Sequence, residues 1–233
     1  MSRPETILNT CIKAFHRNRF PALVLQSAAA VILLLYFLVP ATRPGFEAIG
    51  ALRARYGYLF SAVSTAISGG LISWLVLWNR GRIPPGRLGA HGVFFILYWG
   101  AQGLMVDTLY RLQGQWFGDG NDPLTLLKKV LVDQGPYNLL YATPASLLFY
   151  TWKDHSFSWP RAWTAFRKDF RHRYWSIMIS AWMVWIPAVT MIYSLPPDLQ
   201  IPLFNLVICF FTLVLAFVSR ESEPAQTREN PCS

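Results

Sequence analysis

Residues 20–42 read FPALVLQSAAAVILLLYFLVPAT and contain no charged side chain over 23 positions. A helix needs roughly 20 mostly apolar residues to cross a hydrocarbon core of about 30 Å, so this stretch is long enough to span a membrane. Its apolar residues do not alternate with polar ones, as they would in a transmembrane β-strand. The stretch therefore predicts a membrane-spanning helix.

Five further stretches without a charged residue follow, each 19 to 24 residues long: 56–79, 88–106, 134–152, 174–197 and 199–219. Because backbone polar groups in lipid must be satisfied within the chain, helices are favoured throughout. The fifth stretch ends at Pro196-Pro197, which stops a helix, so we expect a tight antiparallel hairpin with the sixth. The sequence predicts an all-α, polytopic transmembrane helix bundle of about six spans.

The composition agrees with this class of protein. Of the 233 residues, 53% are hydrophobic and 14% are charged, whereas about 25% charged is usual in soluble domains. These values exclude a disordered chain, a disulfide scaffold and an ordinary soluble enzyme. We expect one membrane domain over residues 1–220, followed by a polar tail over 221–233.

The formal net charge is +9, and the basic residues behind it are divided unequally between the two predicted sides of the membrane. With six crossings, 15 of the 21 Lys and Arg residues fall on the side that holds both termini, and 6 fall on the other. The positive-inside rule then predicts both termini in the cytoplasm or the matrix. Because the charge is not collected on one domain, nucleic acid is not a predicted partner.

Residues 159–174 have the pattern of an amphipathic helix lying along the membrane surface. Its aromatic residues form one narrow stripe: Trp163, Phe166, Phe170 and Tyr174. Its flank is basic, with Arg161, Lys168 and Arg171. An aromatic stripe beside a basic face suits contact with anionic lipid headgroups. In the alternative interpretation, the basic flank only fixes the topology.

Small residues recur at helical spacing in the second stretch, as Ala62, Ala66 and Gly70 on one row and Ser61, Thr65 and Gly69 on the next. Such rows let helix backbones approach closely in lipid. The other interpretation is a pore wall lined by the hydroxyls of Ser61, Ser64, Thr65 and Ser68. Those hydroxyls could equally bond to carbonyls of their own helix.

Two acids lie at the ends of apolar stretches. Asp107 has Arg111 one turn later, which favours an i,i+4 ion pair at the interface over an intramembrane functional acid. Asp133 begins the run Asp133-Gln134-Gly135-Pro136 before the fourth stretch. An acid or Gly before a Pro is typical of a helix start.

No catalytic or metal-binding pattern is present in the sequence. Cys11, Cys209 and Cys232 are far apart, the four histidines form no paired motif, and no Gly-rich phosphate loop occurs. We therefore expect no enzyme activity, no metal and no cofactor.

Two blocks of the chain resemble the Mpv17/PMP22 family of small multi-pass membrane proteins. The first is Leu127-Lys-Lys-Val-Leu-Val-Asp-Gln-Gly135, similar to that family's Lys-x-x-x-x-Asp-Gln signature. The second joins Phe166-Arg-Lys-Asp-Phe170, Trp182-Met-Val-Trp-Ile-Pro-Ala188, Ser194-Leu-Pro196 and Leu215-Ala-Phe-Val-Ser219. The family-motif residues are Lys128, Lys129, Asp133, Gln134, Asp169, Trp185 and Pro187. The third stretch looks inserted relative to the family pattern, which marks a divergent member.

The resemblance implies a multi-pass protein of a mitochondrial, peroxisomal or similar membrane, with channel-like permeation of small solutes or metabolites and no enzyme activity. The distribution of charge agrees equally with a bacterial inner membrane. We place the predicted polar path at Ser64, Thr65, Ser68, Gln134 and Asn205, with Asp133 at one mouth. A homo-oligomer is an expected way to widen so narrow a bundle. The alternative is a non-transporting scaffold or lipid-binding protein, held to anionic headgroups by residues 159–174.

Overall fold

The computed structural model describes the backbone of residues 7–221, and the side chains of residues 19–213 except 21, 169 and 172. Within those residues every regular element is a helix, which confirms the predicted all-α class. The tail predicted at 221–233 lies, beyond its first residue, outside the described residues.

Nine α-helices follow one another along the described chain. They are α1 (Ile7–Leu38), α2 (Arg43–Tyr56), α3 (Tyr58–Thr65), α4 (Ile72–Asn79), α5 (Leu88–Phe117), α6 (Pro123–Val132), α7 (Thr143–Asp154), α8 (Trp159–Tyr193) and α9 (Pro197–Glu221). Wider π-helical turns join α3 to α4 over Ala66–Leu71 and α6 to α7 over Asp133–Ala142.

The first predicted span ends in a sharp bend. Pro40 cannot continue the hydrogen bonding of α1, and a short 3₁₀ turn over Pro40–Thr42 follows. Ala22–Leu38 and Pro40–Tyr56 are consequently bent by 100° relative to each other. The helix α2 therefore turns back instead of prolonging α1.

Three helical segments of the described chain are long and apolar enough to cross a membrane: Tyr58–Asn79, Leu88–Phe117 and Arg173–Tyr193. The bent pair of α1 and α2 gives up to a fourth. The other two predicted spans are helical but differ in form. Residues 134–152 lie largely within a broken helix, and Pro197–Leu213 is a shorter apolar helix. The transmembrane helical class is confirmed, and the described residues contain three to four candidate spans by length and composition. The count of six stays a prediction.

The broken helix begins with Asp133-Gln134-Gly135-Pro136, whose pattern is typical of a helix start. Gly135 has non-helical torsion angles (φ −84°, ψ −107°) and Pro136 carries no N–H, so the regular hydrogen-bond ladder is interrupted. Aromatic side chains of α8 bond two backbone carbonyls of this segment. Trp182 Nε1 donates to Gln134 O at 3.0 Å, and Tyr174 Oη donates to Leu139 O at 2.8 Å.

The row of small residues on α3 and the following π turn packs against α5. A Cβ added at Gly70 would lie 2.7 Å from the backbone oxygen of Phe95, and one at Gly103 would lie 2.4 Å from the backbone oxygen of Ser61. Such close backbone approach needs glycine, as the packing interpretation of these rows expects.

Residues 159–174 do not form a separate helix, because they are the first half of the continuous helix α8. Their predicted position along the membrane surface stays a prediction. No Gly or Pro interrupts the helix between Pro160 and Pro187. Its aromatic stripe packs within the protein. Phe166 and Phe170 lie against a core of Leu147, Tyr174 and Met178, while Trp163 is 49% exposed.

The predicted hairpin between the last two stretches is present. The helix α8 ends at Tyr193 and α9 begins at Pro197, with Leu195 N bonded to Ile192 O at 3.1 Å across the turn. The main core lies where α8 and α9 meet α1 and α5, and it includes Leu25, Val106 and Ile192.

Replacing Gly103 by Ala should lower the free energy of unfolding by about 1–3 kcal/mol, because the new methyl group overlaps the backbone of α3. The matched control is Gly89→Ala, also in α5, where nothing lies within 4 Å of an added Cβ. Thermal unfolding of both variants in detergent measures the difference. Equal melting temperatures would contradict the close packing of α3 and α5.

Candidate functional site

Buried polar side chains collect in two networks near the turn between α8 and α9. The first, the ionic cluster, consists of Arg53, Ser61, Asp107, Arg111 and Asp198. The second, the Asp133 network, consists of Gln113, Asp133, Gln134, Asn138, Thr143 and Tyr193. Tyr193, just before the turn, belongs to the Asp133 network, and Asp198, just after it, belongs to the ionic cluster.

The ionic cluster surrounds the carboxylate of Asp107, which has no exposed surface. Arg53 Nη2 donates to it at 2.6 Å, Ser61 Oγ at 2.7 Å and Arg111 Nε at 3.0 Å. Arg53 also pairs with Asp198 at 2.9 Å. A buried carboxylate needs this many donors, because an unpaired charge inside a protein is costly.

The predicted pair of Asp107 and Arg111 is present, but sequence reasoning missed the role of Arg53. The two members of the buried pair are 54 residues apart, so no local spacing reveals them. One signal was available: an acid inside an apolar helix requires more charge compensation than a single interfacial arginine provides.

Two chains of hydrogen bonds end at the carboxylate of Asp133. Gln113 Nε2 donates to Tyr193 Oη at 3.0 Å, and Tyr193 Oη donates to Asp133 Oδ2 at 2.6 Å. From the other direction, Thr143 Oγ1 donates to Asn138 Oδ1 at 2.8 Å and Asn138 Nδ2 to Gln134 Oε1 at 2.9 Å. Gln134 Nε2 completes this chain by donating to Asp133 Oδ1 at 2.6 Å. All donors therefore point toward one carboxyl group, and each bond polarises the next.

The electrostatic surroundings of Asp133 lack a direct counter-ion within the described residues. Lys129, one turn earlier, is 2% exposed and forms an ion pair with Asp119 at 3.8 Å. Asp133 and Lys129 both precede the uncharged stretch 134–152. Burial lowers the pKa of Lys129, and burial raises the pKa of Asp133 to about 6 against the opposing hydrogen bonds from Tyr193 and Gln134.

The residues of the predicted polar path lie in two separate places. Asp133 and Gln134 belong to the network just described. Thr65 Oγ1 donates to Asn205 Oδ1 at 2.7 Å, and Asn205 Nδ2 donates to Ser64 Oγ at 2.7 Å, which joins α3 to α9. Ser64 and Ser68 also donate to carbonyls of their own helix, at 2.6 Å and 2.8 Å.

Polar contacts also join α5 to α7 beyond Thr143. Tyr98 Oη and Ser146 Oγ lie 2.7 Å apart, and Trp99 Nε1 donates to Tyr150 Oη at 3.2 Å. Long side chains bridge these two helices, whereas glycines join α5 to α3. Ser146 and Tyr150 lie about one and two turns beyond Thr143 on α7, so polar side chains recur along this helix beyond the Asp133 network.

The remaining predicted residues are distributed over the surface and the core. Lys128 is exposed, as are the headgroup candidates Arg161, Lys168 and Arg171. Trp185 packs against Phe204, with ring centroids 5.4 Å apart, and Pro187 lies inside α8. The side chain of Asp169 lies outside the described residues. Sequence reasoning missed Gln113 and Tyr193, which lie 80 residues apart in the chain.

Among the described residues, no group of three or more His, Cys, Asp or Glu side chains is arranged to hold a metal ion. The chemistry available at the two networks is therefore that of carboxylates, amides, hydroxyls and guanidinium groups.

Comparison with known proteins gives one match. Residues 160–216, which span the greater part of α8 and much of α9, match the model of the Mpv17 / PMP22 family. No curated protein and no solved structure matches the chain.

Removing the charge of Asp107 should destabilise the protein far more than removing that of Asp198. Asp107→Asn leaves Arg53 buried without its main partner, and breaking a buried pair costs roughly 3–5 kcal/mol. Asp198 has a side chain that is 50% exposed, so Asp198→Asn should cost about 1 kcal/mol or less. Thermal unfolding in detergent compares the two variants, and similar losses would show that Asp107 is not the centre of the cluster.

Proposed function

We propose that this chain, which belongs to the Mpv17 / PMP22 family, is an integral membrane protein through which small polar solutes or metabolites permeate. The observation that carries the proposal is the Asp133 network, a line of buried amide, hydroxyl and carboxyl groups in a largely apolar bundle. The channel-like character that the family resemblance implies agrees with such a line.

The energetics of the line support a role beyond packing. Polar and ionisable side chains are costly inside a membrane protein, and they commonly mark the pathway of an ion or substrate. The line also follows a π-helical segment, and π-helical turns are frequent at functional sites. An apolar sequence at these positions would pack a helix bundle without the cost.

The extent of the line supports a path across much of the bundle. From Asp133 to Ser146, a helix rise of at most 1.5 Å per residue gives a length of roughly 15–20 Å. A hydrocarbon core is about 30 Å thick. The polar contacts of Trp99 and Tyr150 extend the line further toward the end of α7.

Under the same proposal the protein has no enzyme activity and uses no cofactor. It assigns the protein to a bacterial inner membrane or to a mitochondrial or other organelle membrane, with the termini on the cytoplasmic or matrix side. A homo-oligomer would supply additional width, since a bundle with this many aromatic residues is narrow.

Purified protein in planar bilayers should pass current, and Asn138→Leu should lower the conductance about tenfold or more, because an apolar group in the polar line disfavours water. Asp133→Asn should lower the preference for cations over anions. Single-channel recordings under salt gradients measure both quantities.

Two control variants test the location of the path. Asn205→Leu alters the polar contact between α3 and α9 and should leave the conductance unchanged if permeation follows the Asp133 network. Glu47→Gln removes an exposed carboxylate of α2 and should leave ion preference unchanged. Folded protein that passes no current above background would contradict permeation. A loss of conductance in Asn205→Leu, with normal conductance in Asn138→Leu, would place the path at the polar contact between α3 and α9 instead.

The second candidate function is lipid binding without transport. The observation that favours it is the exposure of Arg161, Lys168 and Arg171 on the first half of α8. The charge pattern predicts that this segment lies on the side of the membrane with more basic residues. Lysine and arginine near a membrane surface each contribute about 1 kcal/mol to attraction by anionic lipids.

Anionic lipid should therefore raise the melting temperature of the protein in nanodiscs, and replacing these three cations with Gln should remove most of that increase. The control replaces Arg43, Arg55 and Lys128 with Gln, which removes the same charge from exposed positions that the charge pattern predicts on the other side of the membrane. An equal response of both triple variants would indicate that net charge, and not this surface, determines the effect.

A further inference from the structure

The two buried aspartates of the described chain differ in how their charge is balanced. Asp107 bonds to Arg53 and Arg111, so its negative charge has two cationic partners. Asp133 is 5% exposed, and no Lys, Arg or His of the described residues forms an ion pair with it. Its direct donors, Tyr193 and Gln134, are neutral. A carboxyl group placed in this way can be neutralised by taking up a proton.

The groups that face Asp133 from the surrounding elements are mostly uncharged. Tyr193 reaches it from α8, and Tyr110 and Gln113 lie on the α5 side. Tyr137 lies on its own segment. The nearby charged group is the ammonium of Lys129 at the end of α6, which lies above the ring of Tyr193 at 5.8 Å and pairs with Asp119.

The hydrogen bonds around Asp133 can reverse direction without being lost. With the carboxylate ionised, Gln113 donates to Tyr193, which donates to Asp133 Oδ2. With a proton on Oδ2, the carboxyl O–H would donate to Tyr193 Oη, and the phenol O–H would turn to Gln113. The acceptor for it exists, because Gln113 Oε1 is buried and has no hydrogen-bond partner among the described residues. A half-turn of the amide group brings that oxygen to the phenol.

We propose that Asp133 is a proton-binding site and that solute passage along the polar line is coupled to the exchange of its proton. The proposal rests on the permeation proposed above. The proton enters from water on the side of Lys129 and Asp119, forms an O–H bond with Asp133 Oδ2, and leaves by breaking that bond. No other covalent bond changes and no group is oxidised or reduced.

The direction in which pH changes the free energy of unfolding follows from the burial of Asp133. Burial raises the pKa of its carboxyl group from the ordinary value of 3.8 to about 6. The folded protein therefore holds this proton more tightly than the unfolded chain, and the stability that it contributes is complete below pH 4. That contribution is lost as the pH rises from about 4 to about 6.

Infrared spectroscopy of the protein in nanodiscs tests proton binding without any transport measurement. A band from a protonated carboxyl group should disappear with a midpoint near pH 6, and it should be missing in Asp133→Asn. It should persist in Asp154→Asn, which removes an aspartate whose side chain is 54% exposed. Folded protein with no such band, or a band that persists in Asp133→Asn, would overturn the proton site.

Tyr193→Phe provides a second variant that keeps the carboxyl group. It removes the hydrogen bond to Asp133 in both protonation states, and the bond to the ionised carboxylate is the stronger of the two, by about 1–1.5 kcal/mol, so the midpoint should rise by about one pH unit. An unchanged midpoint in folded Tyr193→Phe would overturn the proposed bond of Tyr193 to the ionised carboxylate. A rise of about two pH units or more would overturn the hydrogen-bond reversal, because the protonated form would then have had no bond to lose. This variant also covers the case in which Asp133→Asn does not fold.

Coupling is tested by conductance in planar bilayers from pH 4 to pH 8. The conductance of the unmodified protein should change with the infrared midpoint, and Tyr193→Phe should shift both midpoints together. A normal infrared titration with pH-independent conductance would overturn the coupling while leaving the proposed permeation intact. A normal titration with no conductance at all would overturn permeation, and the coupling with it, while leaving the proton site in place.

Discussion

The contact between Arg53 and Asp107 holds four helices in one arrangement. Arg53 comes from α2, Asp107 from α5, Ser61 from α3 and Asp198 from α9, and all four side chains meet within hydrogen-bonding distance. Each group alone would be a costly polar side chain in an apolar bundle. Because the guanidinium of Arg53 bonds two carboxylates at once, α2 is kept turned back against α9. The loss of Arg53 or Asp107 leaves the other with only its more exposed partner, Arg111 or Asp198.

The second constraint is that backbone groups of the broken helix need hydrogen-bond partners outside its own segment. Gly135 and Pro136 interrupt the ladder of the segment Asp133–Ala142, and backbone groups released inside a membrane protein must find other donors. The indole of Trp182 and the phenol of Tyr174 provide them. The long continuous helix α8 is therefore needed in full, since its two halves supply donors to the segment and pack against α7.

The sequence was sufficient for features that depend on local periodicity. The lack of charge over 20–42 and the later stretches predicted helices, and Pro196-Pro197 predicted the hairpin that the structure contains. Two features could not be predicted in this way because they depend on residues far apart in the chain: the packing of the aromatic stripe and the partners of the buried aspartates. The aromatic stripe of 159–174 has the same pattern whether it faces headgroups or, as for Phe166 and Phe170, the neighbouring helix.

The buried sites show the same limit more sharply. The partners of Asp133 include Gln134, its sequence neighbour, and Tyr193, which is 60 residues away. The turn between α8 and α9 sets both networks, because it places Tyr193 against Asp133 and Asp198 against Arg53. A buried hydrogen bond to a charged group contributes roughly 1.5–3 kcal/mol, and a half-exposed ion pair contributes about 1 kcal/mol or less. The turn is therefore held more firmly to the Asp133 segment than to α2. Any opening at this end of the bundle separates the contact of α2 with Asp198 first, while Arg53 keeps its buried bond to Asp107.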